Sequence, residues 1–100
     1  MTIKNIKKKL ETSSNPVAEA IHQNANFRVI AFAFKKGMNI KEHKAYHPSK
    51  FIVFEGSVIY KEKDRVIEMG QYDEVDIPSE MPHSVEALED SLCILTQGKE

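Results

Sequence analysis

Cysteine is nearly absent from this chain. Cys93 is its one thiol, so no internal disulfide can form, which fits a reducing cytoplasm. No basic residue adjoins it in S-L-C-I-L-T, and it reads as a buried core thiol rather than a nucleophile. Long apolar runs are also missing. None approaches the roughly 18–20 residues that a membrane helix needs, and the N-terminus lacks the apolar stretch of a secretory signal, so the expected location is cytoplasmic. Charge of one sign is not in excess either. A formal net charge of -1 argues against nucleic acid, whose binders present a basic face. There is no glycine-rich phosphate loop, nucleophile elbow, C-x-x-C or H-E-x-x-H. Nucleophilic catalysis therefore has no support in the residues.

What is present is the composition of a globular domain, 41% hydrophobic and 29% charged over 100 residues, which suffices for one core and not for two. Residues 1–15 form a polar extension. Its lysines, Lys4 and Lys7 to Lys9, read as the solvated face of a short helix with Ile3, Ile6 and Leu10 packed beneath. The alternative, contact with an anionic surface, rests on one short cluster and is the weaker reading. T-S-S-N-P closes the extension, and residues 16–100 make the folded body. There, short apolar or alternating segments are separated by turn residues. V-A-E-A-I-H, F-R-V-I-A-F-A-F, M-N-I-K-E-H, F-I-V-F-E, S-V-I-Y-K, V-I-E-M, V-D-I, H-S-V-E-A-L and S-L-C-I-L-T give about nine strands, the number and spacing of a sandwich or barrel. The F-R-V-I-A-F-A-F segment reads as buried on both faces. E-K-D-R is a tight polar turn, and the last two segments are expected to pair through Glu89-Asp90. An all-β chain with so many strands hides its edges by closing, so the predicted fold is a jelly-roll barrel.

The glycine, proline and histidine positions in this barrel resemble the cupin superfamily. The family's first motif is G-x5-H-x-H-x3,4-E-x6-G. Gly37, His43 and Gly56 fit it, while Ala45 stands where the second histidine falls and Ser49 where the glutamate falls. The second motif is G-x5-P-x-G-x2-H-x3-N. Pro78 and His83 fit it, while Tyr72, Glu80 and Ala87 replace its two glycines and its asparagine. The resemblance spans roughly residues 17–97 and implies an all-β double-stranded β-helix, the cupin jelly roll, with a short N-terminal helix. It also implies a homodimer, which suits a small barrel that leaves much of its surface exposed.

The residues themselves say where a site would lie. Gly37 and Gly56 belong where the chain reverses with positive φ or passes close to a neighbour. The two prolines of I-P-S-E-M-P-H restrict the turn that delivers His83 to the start of a strand. If the stretch after Ile40 stays extended, His43, Ala45, His47 and Ser49 share one face, with His83 approaching from a neighbouring strand. The expected ligand-binding residues are His43, His83, Ser49 and Met81, the methionine standing at the mouth as a flexible apolar gate. Two readings of the site stay open. In one, His43 and His83 are polar anchors for a small molecule in a metal-free barrel. In the other, His43, His47 and His83 hold a divalent zinc, nickel, iron or manganese ion for a dioxygenase- or isomerase-type reaction. The missing carboxylate weighs toward the first. A third reading is a dimeric interaction module with a vestigial pocket.

Overall fold

The computed structural model describes residues 1–98. A helix, α1 (Thr2–Leu10), precedes nine strands: β1 (Val17–Gln23), β2 (Phe27–Phe34), β3 (Asn39–His43), β4 (Ser49–Glu55), β5 (Val58–Glu62), β6 (Arg65–Met69), β7 (Glu74–Ile77), β8 (His83–Ala87) and β9 (Ser91–Gly98). They form two antiparallel sheets. Sheet A runs β1-β2-β9-β4-β7, and sheet B runs β3-β8-β5-β6. Between them lies the main core, where Phe34, Phe51, Val53, Tyr60, Met69 and Cys93 are almost wholly buried. Alternation decides which side chains enter it. On β4 the inward set is Ser49, Phe51 and Val53, and on β5 it is Val58, Tyr60 and Glu62.

A second, smaller core lies on the outer face of sheet A. There α1 lays Ile6, fully buried, over Ala31, Ala33, Leu92 and Ile94, with Leu10 and Val17 at its margin. This cover explains why β2 is apolar on both faces toward its C-terminal half, where Ala31, Ala33 and Phe34 are all buried. Of the three helix residues expected to pack, Ile3 is only partly covered, 37% exposed beside Leu92 and Ile94. The expected pairing of the last two segments is also corrected. β8 pairs with β3 and β5, while β9 pairs with β2 and β4 in the other sheet. Glu89-Asp90 is thus a crossover between sheets, not a hairpin.

The two ends of the barrel differ. At the closed end the chain crosses between sheets repeatedly, and the crossings are stitched together by backbone. Gly37 donates to Ala87 O at 2.8 Å, Ala87 to Met38 O at 2.9 Å, and Leu88 to Ser57 O at 2.9 Å. Gly56, at φ 84°, is the tightest point: a Cβ there would collide with Asp90 O and Ser91 Oγ, so only glycine fits. At the open end the β3–β4 and β7–β8 loops meet. The Glu80 amide donates to Ala45 O at 2.7 Å and Ser79 Oγ to Tyr46 O at 2.6 Å.

Candidate functional site

Cross-strand register places a polar row at the open end of each sheet. In sheet B, His43 pairs with His83, His83 with Glu62, and Glu62 with Arg65. In sheet A, Arg28 pairs with Gln97, Gln97 with Ser49, and Ser49 with Ile77. Directly opposed residues share a face, so each row lies on one side of its sheet. One step deeper the partners are apolar: Ile40, Val85, Tyr60 and Ile67 in sheet B, and Ile30, Leu95, Phe51 and Val75 in sheet A.

His43 reaches this row through a register shift in β3. Ile40 opposes Val85 and His43 opposes His83, so three steps on β3 match two on β8. Without that bulge strict alternation would send His43 outward and Glu42 inward. The strand then ends, and Lys44 to Pro48 form a loop. The shared face expected for His43, Ala45, His47 and Ser49 is therefore lost, since it required unbroken extension.

The two imidazoles are neighbours, with ring centroids 4.3 Å apart and planes inclined by 57°. Each is oriented by its own backbone two residues earlier: His43 Nδ1 donates to Lys41 O at 3.0 Å and His83 Nδ1 to Met81 O at 2.9 Å. That fixes the tautomer and leaves both Nε2 atoms as acceptors. His83 is buried, at 5% exposure, and His43 is exposed at the mouth. Burial lowers the His83 pKa; the Met81 carbonyl opposes that shift, the neighbouring His43 ring adds to it, and Glu62 opposes it. Beneath the pair lies a cavity of about 30 Å³ lined by Phe32, Ile40, Phe51, Ile77, Val85 and Leu95. It has room for roughly one water molecule.

Beside His83 the row carries chemistry that the sequence reading passed over. Arg65 grips Glu62 with both prongs, Nε to Oε1 at 2.7 Å and Nη2 to Oε2 at 2.8 Å, while the buried Tyr60 hydroxyl also donates to Oε2. The same Nη2 donates to Asp76 O at 2.9 Å, tying the row to β7 of the opposite sheet. The Arg65 hydrogen bonds hold the Glu62 pKa below its ordinary value, and burial together with Glu62 raises that of Tyr60. A sequence signal existed: Tyr60 and Glu62 are two apart, in phase with buried Val58, and Arg65 lies just across the turn. E-K-D-R is more than a polar turn, since its arginine closes back on its glutamate.

The remaining expected residues fall elsewhere. Ser49 is buried on β4, where its hydroxyl accepts from Gln97 Nε2 at 3.0 Å and donates to His47 O at 3.3 Å. It does not line the cavity. Met81 contributes its carbonyl, and it does not line the cavity. His47 lines a separate surface depression with Arg28 and Gln97. Among the described residues no three His, Cys, Asp or Glu side chains are grouped to hold a metal ion. Glu62, the nearest carboxylate in the row, is already taken by Arg65 and Tyr60. The residues at the mouth therefore do not fit the three-ligand centre that His43, His47 and His83 were expected to form. The loops carry His47 away, and neither Ser49 nor Glu62 replaces the missing carboxylate.

No protein-family model matches the sequence, and no curated protein does. Solved structures match over most of the chain. A cupin superfamily protein from Desulfitobacterium hafniense is 14% identical with a TM-score of 0.82, covering 88% of this chain and 81% of its own. An RmlC-like cupin from Desulfovibrio desulfuricans is 26% identical with a TM-score of 0.78, covering 84% and 82%. A salicylate 1,2-dioxygenase from Pseudaminobacter salicylatoxidans is 14% identical with a TM-score of 0.87 over 97% of this chain, but only 32% of that enzyme. Sheet order and these likenesses agree, and the chain has the fold of the cupin superfamily.

Proposed function

We propose that this protein binds a small molecule at the open end of its barrel through His43 and His83, without a metal. The observation that carries the reading is the paired imidazoles, 4.3 Å apart, each with Nδ1 held by a backbone carbonyl and Nε2 free of any partner among the described residues. Two fixed acceptors at the edge of an apolar interior suit a ligand that donates hydrogen bonds from a hydroxyl, amide or ammonium group. The small cavity below accepts a water molecule or a group of methyl size, so the body of the ligand sits at the mouth beside exposed His43. Glu62, Arg65 and Tyr60 act as the frame: their mutual bonds hold the strand end beside His83 and occupy both oxygens of the carboxylate.

The test is a fragment screen read on the histidine ring nitrogens by long-range ¹H–¹⁵N NMR, with elemental analysis of protein purified without chelator. The expected result is a set of hydrogen-bond-donating fragments that shift the Nε2 signals of His43 and His83 and lose binding in His43→Ala. Near-stoichiometric metal, lost in His43→Ala or His83→Ala, would overturn the metal-free reading in favour of a metal-dependent one. Fragments that bind with no effect at either ring would overturn the site.

A further inference from the structure

A depression of about 250 Å³ lies beside the barrel mouth on the sheet A side, between the Asn24–Asn26 turn and the β3–β4 loop. It is distinct in its lining from the cavity beneath the histidine pair. Arg28 and His47 bring nitrogen donors to it, Asn24, Asn26 and Gln97 bring amides, and among the described residues no aspartate or glutamate lines it.

Arg28 is positioned rather than loose. Its Nε donates to Gln97 Oε1 at 3.0 Å, and Gln97 Nε2 in turn donates to buried Ser49 Oγ at 3.0 Å. The arginine is thereby anchored through one nitrogen to a group set in the sheet. Its two terminal nitrogens make no hydrogen bond, and no carboxylate lies within ion-pair reach of it, among the described residues. The side-chain oxygen of Asn24 is occupied, accepting from the Asn26 and Phe27 amides at 2.8 and 3.1 Å, which leaves its NH₂ group as a donor. Lys50, across the adjoining stretch of sheet, differs: Glu74 and Asp76 stand 3.5 and 3.6 Å from its ammonium.

We propose that this depression binds an oxyanion of a small molecule, a carboxylate or a phosphate, with the Arg28 fork as its principal contact and His47 and the Asn24 amide at its flanks. A planar guanidinium held by one nitrogen presents its remaining N–H groups in the geometry that oxyanions accept. Among the described residues no carboxylate competes for that charge. The assignment stands apart from the histidine pair, and either can fail without the other.

The experiment titrates the full chain with inorganic phosphate and, separately, with acetate at constant ionic strength, following the Arg28 Nε–H and Gln97 side-chain amide by ¹H–¹⁵N NMR. Saturating shifts at both groups with at least one of the two anions are expected. Arg28→Gln should weaken that binding by at least about tenfold, and Arg28→Lys, which keeps the charge but loses the fork, by about threefold or more. Lys50→Gln, which removes the same charge nearby, should leave it within about twofold because surface charge alone is heavily screened. Dispersion of the same spectra shows whether each variant is folded. Shifts that fail to saturate with either anion, that persist in Arg28→Gln, or that weaken equally in Lys50→Gln would overturn the proposal.

Discussion

Two residues carry backbone strain that glycine would not. Tyr72 and Glu80 have φ of 73° and 61°, and they stand at the two positions where the second cupin motif has glycine. A left-handed conformation costs a non-glycine residue roughly 1–2 kcal/mol. The hydrogen bonds from the Tyr72 amide to Val53 O and from the Glu80 amide to Ala45 O hold both turns in that shape. Set against the greater unfolded-state freedom of glycine, Glu80→Gly is expected to stabilise the protein by about 0.5–1 kcal/mol, measured by urea denaturation. Motif spacing had pointed to both positions as departures from the family pattern. Their strain was not legible there, because φ belongs to the folded turn. His83 supplies a pH prediction. Burial lowers its pKa below the ordinary 6.5, so the unfolded chain takes up a proton that the folded one resists. Stability contributed by the neutral ring is therefore full above about pH 6.5 and declines as pH falls toward the lowered value. Urea midpoints measured from pH 8 to pH 5 should show this decline, and His83→Gln should flatten it. Glu62, whose pKa lies below its ordinary 4.5, adds its own loss only at more acid pH.

At the scale of elements, strand existence was easy to read and strand partnership was not. Hydrophobic alternation and punctuation by Gly37, Gly56 and Gly70 mark β2 to β9, because period and turn chemistry are local properties. Partnership depends on which sheet the chain enters after each corner. The segments on either side of Glu89-Asp90 look like a hairpin in sequence, yet backbone bonds at the closed end carry the chain from one sheet to the other. The bulge in β3 had no sequence signal either, although it alone turns His43 onto the inner face. The helix is a different case. The lysine-rich α1 reads as an amphipathic surface element, and it does cover sheet A, with Ile6 wholly buried against Ala31 and Ala33. Ile6→Ala should accordingly destabilise the whole domain by about 2–4 kcal/mol, in a single urea transition. A loss below about 0.5 kcal/mol, the range of ordinary surface substitutions, would mean that the helix is not part of the cooperative fold.

At the scale of the whole molecule, a barrel of this size buries only roughly 60–70% of the surface of its unfolded chain. Part of the apolar surface left open gathers in one groove. A groove of about 520 Å³ on the outer face of sheet A is lined by Ile3, Ile21, Phe54, Tyr72, Leu92 and Ile94. The homodimer expected from the sequence is proposed on this face, where Tyr72 presents a ring that is 71% exposed from a strained backbone position. Light scattering at micromolar concentration should give twice the chain mass, and Phe54→Asp should return it to the mass of one chain. A monomeric mass for the unaltered protein would remove the pairing.

Composition, period and spacing by themselves determined the fold class, the strand inventory and the two histidine positions that meet at the mouth, since each follows from local preference and from the order of turns along the chain. Tertiary structure alone decided the company those histidines keep. His47 and Ser49 are separated from the pair by a loop and a different sheet, whereas Tyr60, Glu62 and Arg65 join it by register across β5, β6 and β8. Lateral neighbours in a sheet come from distant parts of the chain, and which of them stand side by side is set by how the sheets close.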